Sequence, residues 1–134
     1  MESLYLIDNV YYENQECTIE QINNQNDDEI NQILLYLYNN YDKKITITEL
    51  TKIFNMNRTT LSKKFKDVVG ESIITYLNKV RINMAAIMLR DTELPIAEIM
   101  ERVGFVDSTY FLRTFKKYIK FTPKEYRNKF CWML

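Results

Sequence analysis

The fold of this chain is decided by residues 104–117, GFVDSTYFLRTFKK. The leading glycine permits a tight turn, and Asp107 is a favoured N-cap for a helix that begins just after it. Apolar residues then recur at helical spacing, so that a helix over about 108–119 has Phe111 and Phe115 on its inner side. The stretch therefore predicts a tight turn that leads into an amphipathic helix with a basic outer face.

The helix of this stretch has a counterpart earlier in the chain. Residues 61–66 read LSKKFK and residues 111–116 read FLRTFK, both in the order apolar, variable, basic, polar, Phe, Lys. The segments that precede them match as well, since ITEL at 47–50 corresponds to IAEI at 96–99. Repetition of a short helix, a turn and a second helix predicts two helix-turn-helix units.

We expect the first unit at about 46–69 and the second at about 96–119. Asn55 and Gly104 occupy equivalent positions in the two turns, and both residue types tolerate the left-handed backbone conformation that a tight turn requires. At the start of the first unit, TITE at 46–49 has the spacing of a capping box, in which Thr and Glu satisfy free N–H groups of the helix end.

Three further helices complete an all-α fold of seven helices, with two helix-turn-helix subdomains joined by a long central helix. The first begins at about Asp28, the connecting helix covers about 72–91, and the last begins at Thr122, before a proline at a favoured position. These helices define a domain at 28–130. The apolar stripe of the first helix comprises Ile30, Ile33, Leu34, Leu37 and Tyr41, and that of the connecting helix comprises Ile73, Leu77, Val80, Met84 and Ile87.

Charge is divided unevenly along the 134 residues. Nine acidic residues and no basic one precede Lys43, so the remainder carries all 18 Lys and Arg against nine acids, a net charge of +9. Residues 1–27 are expected to form an acidic, polar arm or the remnant of a linker, in which β-prone runs around Asp8 have the pattern of a hairpin and residues 21–28 that of a linker. A basic domain is typical of phosphate binding, although a solvated surface gives the same charge pattern.

Composition also argues against several classes of protein. The chain has no histidine, no phosphate-binding loop and no cysteine in a nucleophile setting, so we expect no enzyme, no cofactor and no metal site. It has neither an apolar run long enough to cross a bilayer nor the features of a signal peptide, so we expect no membrane association and a cytoplasmic protein. Cys17 and Cys131 are interpreted as ordinary reduced thiols.

The second helix of each unit, here called a reading helix, exposes polar and basic residues opposite its apolar side. The outward residues are Arg58, Thr59, Ser62, Lys63 and Lys66 in the first and Ser108, Thr109, Leu112, Arg113 and Lys116 in the second. Such a face suits the major groove of double-stranded DNA, where Arg or Lys donates to guanine, Ser and Thr reach bases or phosphates, and an apolar side chain contacts a thymine methyl. A single face of this kind is most often an ordinary surface in contact with solvent. Two such faces, each on a helix that follows an equivalent turn, favour DNA binding.

The connecting helix has a length that suits this purpose. About 20 residues at a rise of ~1.5 Å span ~30 Å, close to the ~34 Å between successive major grooves on one side of DNA. Two reading helices can then enter successive major grooves. Where the spacing does not fit straight DNA, either the DNA bends or one unit binds loosely.

The chain resembles the DNA-binding domain of the AraC/XylS family of bacterial regulators over about residues 29–128. The residues that carry the resemblance are GFVDSTYFLRTFKK at 104–117 and TPKEYR at 122–127, with Gly70, Tyr76-Leu77, Arg81, Ala85 and Leu89 before them. The resemblance implies seven helices, a site of roughly 20 base pairs and, in most members, activation of transcription through contact with RNA polymerase.

The resemblance also implies contact residues. Family base contacts correspond to Thr59, Ser62, Lys63, Ser108, Thr109, Leu112 and Arg113. The helical wheel adds Arg58, Lys66, Lys116 and Lys117 as candidate phosphate contacts. Because Thr59, Ser62 and Lys63 form the more complete polar set, we expect the first unit to supply most of the base discrimination.

Two residues depart from the family pattern. Leu112 stands where a small or polar residue is common, so it either contacts a thymine methyl or packs without reading a base. Lys120 replaces a glycine that often precedes the Thr-Pro step, which either changes the loop or adds a phosphate contact. The sensor or dimerisation domain that many members carry is not recognisable, so we expect a stand-alone monomer or an excised domain.

A protein-interaction module is the second hypothesis. In it the acidic arm or an exposed helix face binds RNA polymerase or another regulator, and DNA binding is weak or inhibited by the arm. The uneven division of charge motivates this alternative.

Overall fold

The computed structural model describes residues 25–131, and within them it contains seven helices and no strand. They are α1 (Gln25–Asn40), α2 (Ile47–Ile53), α3 (Arg58–Val69), α4 (Ile73–Asp91), α5 (Ile96–Arg102), α6 (Ser108–Ile119) and α7 (Pro123–Phe130). The predicted fold class is confirmed, because α2–α3 and α5–α6 form two helix-turn-helix units on either side of the long α4 in the sequence. The predicted hairpin around Asp8 lies outside the described residues, as does Cys17.

The start of α1 differs from the prediction. Its first residue is Gln25, so the assignment of residues 25–28 to a linker is wrong. The first turn of a helix needs no buried side chain, and carboxylates near it, such as those of Asp28 and Glu29, interact favourably with the free N–H groups of the helix end. Polar residues without apolar periodicity can therefore still be helical at this position.

Side-chain caps fix the starts of five helices. Oxygens of Thr46, Asn57, Ser72, Asp107 and Thr122 accept hydrogen bonds from the first turns of α2, α3, α4, α6 and α7. A complete capping box forms at Thr122, whose N–H donates to Glu125 Oε1 at 2.8 Å, and this bond lowers the pKa of the Glu125 carboxyl. At the predicted box TITE, Thr46 accepts the N–H of Glu49, but Glu49 does not return the bond.

The helices enclose two apolar clusters, one for each helix-turn-helix unit. The first lies among α1, α2, α3 and the first half of α4, and its members Leu61 and Phe65 are completely buried. The second lies among α5, α6, α7 and the second half of α4, with Ile99 and Phe115 completely buried. Tyr41, just after α1, packs against both clusters. Each unit therefore has its own core, and the two cores meet along α4.

The single apolar stripe predicted for α4 is wrong in its second half. Met84 and Ile87 are only half-buried, whereas Ile82, Ala85 and Leu89 are buried. At about 100° per residue these three lie on the side of the helix opposite to Ile73, Leu77 and Val80. The two units pack against opposite sides of α4, so the buried side changes near the middle of the helix.

Left-handed backbone occurs where the turns require it. Asn55 has φ of 51° and Gly104 has φ of 101°, which confirms the predicted equivalence of the two turns. Gly70, with φ of 92°, forms the C-cap of α3. Lys120 ends α6 with φ of 74°, and its Nζ donates to the carbonyl oxygen of Lys117 at 2.9 Å. The lysine thus adopts the left-handed cap conformation that usually favours glycine.

Replacing Lys120 by glycine is expected to stabilise the domain by roughly 0.5–1 kcal/mol. Left-handed backbone costs a residue with a Cβ about 1–2 kcal/mol, and the larger loss of backbone entropy for glycine offsets roughly half of that gain. Thermal unfolding of Lys120→Gly should therefore show a higher Tm than the unsubstituted chain. Lys120→Ala is the control, because it removes the side chain and keeps the Cβ. A lower Tm for the glycine variant would contradict the expectation.

Candidate nucleic-acid interface

The outer side of α3 presents the first predicted set of contact residues. All five are exposed: Arg58, Thr59, Ser62, Lys63 and Lys66. The opposite side of the helix is fixed by Leu61 and Phe65, and the Phe65 ring meets that of Tyr76 on α4 edge to face, with centroids 5.9 Å apart. The core thus holds α3 so that the whole polar set faces solvent.

The outer side of α6 presents the second set. The predicted residues Ser108, Thr109, Leu112, Arg113, Lys116 and Lys117 are exposed. Phe111 and Phe115 are buried as predicted, and Ile119 is buried with them. Leu112 leaves 46% of its surface exposed and is therefore not a core residue. It lies in a shallow depression that Thr109, Arg113, Lys116, Lys117 and Thr122 also line. This depression gives α6 an apolar centre with basic edges.

The cations of both outer faces have no carboxylate oxygen within 4.0 Å among the described residues. Within residues 25–131, no ion pair involves Arg58, Lys63, Lys66, Arg113, Lys116 or Lys117. Some cations elsewhere do pair, among them Lys64 with Glu29 at 3.8 Å, Lys79 with Glu71 at 2.6 Å and Arg90 with Asp91 at 2.6 Å. Among the described residues, these six cations thus form a set on the outer sides of α3 and α6 without a carboxylate in ion-pair contact.

Aromatic rings accompany some of these cations. The Arg113 guanidinium lies 6.0 Å from the centroid of the Tyr110 ring, and Lys117 Nζ lies 5.4 Å from that of Tyr118. A cation above an aromatic face is attracted by the ring quadrupole, which limits the orientations that the side chain adopts. The Arg113 guanidinium thus lies beside the ring of a residue in the first turn of α6.

Sequence reasoning missed three hydrogen bonds from α4, one to α6 and two to the segment between α1 and α2. Asn78 Nδ2, on α4, donates to the Tyr110 hydroxyl at 2.6 Å. Arg81, also on α4, donates from Nε to the carbonyl oxygen of Tyr41 at 2.7 Å and from Nη2 to that of Lys43 at 2.8 Å. The resemblance included Arg81 without giving it a role, and nothing in the local sequence indicates partners 38 and 40 residues away.

An exposed valine precedes the second reading helix. Val106 is 96% exposed, between the buried Phe105 and the cap Asp107.

Across residues 25–131, no three His, Cys, Asp or Glu side chains come together to hold a metal ion. In the same range, no helix combines the length and the apolar character needed to cross a membrane.

Known proteins are similar to this chain over most of its length. A family model described as a helix-turn-helix domain matches residues 50–129. An uncharacterised HTH-type transcriptional regulator of Staphylococcus aureus (strain COL) is 31% identical over 128 residues, which are 96% of this chain and 16% of that protein. The chain therefore spans 16% of the length of this relative.

Solved structures share the fold. The C-terminal domain of AraT, a response regulator from Geobacillus stearothermophilus, is 33% identical with a TM-score of 0.74, over 77% of this chain and 86% of that one. The DNA-binding domain of AdpA, a global transcriptional factor solved in complex with a target DNA, has a TM-score of 0.71 at 18% identity, over 75% of this chain and 90% of that one. At 18% identity, the similarity to the AdpA domain shows a shared fold only.

Proposed function

The chain belongs to the AraC-type helix-turn-helix family of DNA-binding transcriptional regulators, and we propose that it reads a specific DNA site by inserting α3 and α6 into successive major grooves. The observation that carries the proposal is the pair of outer faces, each with hydroxyl groups and with cations that lack an ion-pair partner among the described residues. DNA supplies phosphates for the cations and base edges for the hydroxyl groups.

Base contacts are proposed for the residues nearest the first turns of the two reading helices. They are Thr59, Ser62 and Lys63 on α3, and Ser108, Thr109, Leu112 and Arg113 on α6. Lys63 and Arg113 can donate to guanine O6 and N7, and the exposed Leu112 side chain can contact a thymine methyl. We further propose that α3 supplies most of the base discrimination, since its set lacks an apolar member. Greater loss of specificity from substitutions in α6 would overturn this ranking.

Phosphate contacts are proposed for Arg58, Lys66, Lys116 and Lys117. Each such contact releases about one counterion from DNA, so the logarithm of the binding constant falls with the logarithm of salt concentration by about 0.9 per contact. These contacts position the protein on the duplex and carry no base specificity.

Lys66→Ala should weaken binding to all DNA sequences alike and lower the salt slope by about one. Lys64→Ala is the matched control, because Lys64 lies on the same helix but pairs with Glu29. Binding isotherms for a specific and a random duplex, measured over a range of salt concentrations, give the salt slope of each variant on each duplex. If the salt slope of Lys66→Ala equals that of the unsubstituted chain, Lys66 does not contact a phosphate.

Binding as a monomer to an asymmetric site and activation through contact with RNA polymerase are the finer parts of the proposal. Both rest on the family resemblance. The chain spans 16% of the length of the Staphylococcus aureus relative, so a partner of such a longer protein is only proposed for this chain. Transcription in vitro from a promoter that carries the selected site tests activation. Lower or unchanged transcript levels on addition of the protein would contradict it.

A further inference from the structure

We propose that five residues between the two units set the half-site spacing that this protein accepts, although none of them contacts DNA. These residues, called the junction, are Tyr41, Asn78, Arg81, Gly104 and Tyr110. The inference rests on the proposed function, since it assigns to these residues the relative placement of two reading helices.

Arg81 joins the two units from the middle of α4. Its hydrogen bonds to the carbonyl oxygens of Tyr41 and Lys43 hold the segment between α1 and α2, which belongs to the first unit. Its guanidinium lies 5.9 Å from the ring centroid of Phe105, in the turn of the second unit. Burial lowers the pKa of the Arg81 guanidinium, and the nearby Asp42 and Tyr110 oppose that shift. One side chain thus contacts both units and bonds to the backbone of the first.

Gly104 brings the second unit against the same backbone. A Cβ added at this position would lie 2.6 Å from the carbonyl oxygen of Tyr41 and 2.8 Å from Arg81 Nε. Since real Cβ atoms do not come so close to other atoms, only glycine permits this contact. The turn of the second unit is therefore packed directly on the end of α1, and the Tyr41 side chain contributes to both cores.

Asn78 and Tyr110 attach the second reading helix itself. The 2.6 Å bond runs from a side chain on α4 that is 8% exposed to a hydroxyl in the first turn of α6. Breaking it would leave a buried amide donor without a partner, which costs more than an average hydrogen bond contributes. The bond therefore ties the first turn of α6 to α4.

The consequence is a fixed distance and angle between the two reading helices. A change in either would break the Arg81 and Asn78 bonds or separate the contact at Gly104. DNA whose two half-sites are one base pair closer or farther apart must therefore deform, or else it engages one unit only. The junction thereby selects spacing, while the outer faces select bases.

Tyr110→Phe tests the inference because it removes one hydroxyl and keeps the ring. Duplexes would carry the two half-sites selected by the unsubstituted chain, with the spacing varied one base pair at a time, and each half-site alone. We expect the unsubstituted chain to prefer one spacing by about tenfold or more, and Tyr110→Phe to reduce that preference by about fivefold, the equivalent of one hydrogen bond. Affinity for the single half-sites should stay within about twofold in both proteins.

Two further variants provide a second test of the junction and a control outside it. Arg81→Lys, which keeps the charge but cannot reach both carbonyl oxygens, should flatten the spacing preference as Tyr110→Phe does. Tyr118→Phe makes the same chemical change on the same helix outside the junction and should retain the preference. An unchanged spacing preference in Tyr110→Phe would overturn the proposed role of the junction. An equal loss of affinity at every spacing and on single half-sites would overturn it as well. An unsubstituted chain that selects no DNA would instead overturn the proposed function.

Discussion

Gly104→Ala is expected to lower the free energy of unfolding of the domain by about 1.5–4 kcal/mol. The new methyl group would meet the Tyr41 carbonyl oxygen at 2.6 Å, and this neighbour is backbone that cannot rotate away. Overpacking costs typically 1–3 kcal/mol, and the left-handed φ of 101° adds about 0.5–1 kcal/mol for a residue with a Cβ, after the entropy loss of glycine is subtracted. Urea unfolding followed by circular dichroism measures the loss, which is a large part of the 5–15 kcal/mol typical of a domain.

Gly70→Ala provides the matched control for this substitution. Gly70 has a similar φ of 92°, but an added Cβ would have no heavy atom within 4 Å. Only the net backbone cost of about 0.5–1 kcal/mol should then appear, because the larger entropy loss of glycine on folding offsets roughly half of the strain. Equal losses for the two variants would mean that the contact of the second turn with the end of α1 does not contribute.

The double variant Lys63→Ala/Arg113→Ala is expected to abolish specific recognition at working protein concentrations. Each side chain, if it donates to guanine, contributes about 1–3 kcal/mol of discrimination. The two residues lie on different reading helices, so their effects should add to about 2–6 kcal/mol, which is roughly 30-fold or more in affinity. Binding to the selected site, compared with a random duplex at the same salt concentration, measures the loss.

Charge alone accounts for part of any such loss, so the control must remove the same charge. Lys64→Ala/Arg90→Ala does so at two cations that pair with Glu29 and Asp91. Its ratio of specific to random affinity should stay within about twofold of the unsubstituted chain, because exposed ion pairs contribute little. A control that loses specificity as strongly as the double variant would show that net charge, and not the two faces, governs recognition.

Local features of this fold could be predicted from the sequence because their physical causes are local. Periodicity gave the inner and outer sides of α3 and α6, and Asn57 and Asp107 now cap the two reading helices. The positive φ of Asn55 and Gly104 follows from residue types that tolerate it. All eleven predicted contact residues are exposed for the same reason, since the opposite side of each helix is apolar.

Long-range features could not be predicted in the same way. Asn78 and Tyr110 are 32 residues apart in sequence, and neither has a neighbour that indicates the bond. The buried side of α4 changes near its middle because two separate cores pack on opposite sides, which a single stripe cannot represent. The left-handed Lys120 also has no local signal, because lysine rarely adopts that conformation.

The central claim is that the two exposed faces read two half-sites, and selection of bound duplexes from a random pool tests it most directly. The unsubstituted chain should enrich sites with two conserved blocks whose centres lie about one helical turn, roughly 10 base pairs, apart. Lys63→Ala should lose base preference in one block only, and Arg113→Ala in the other. Enrichment of a single block, or a pool that remains random after repeated rounds, would contradict the claim.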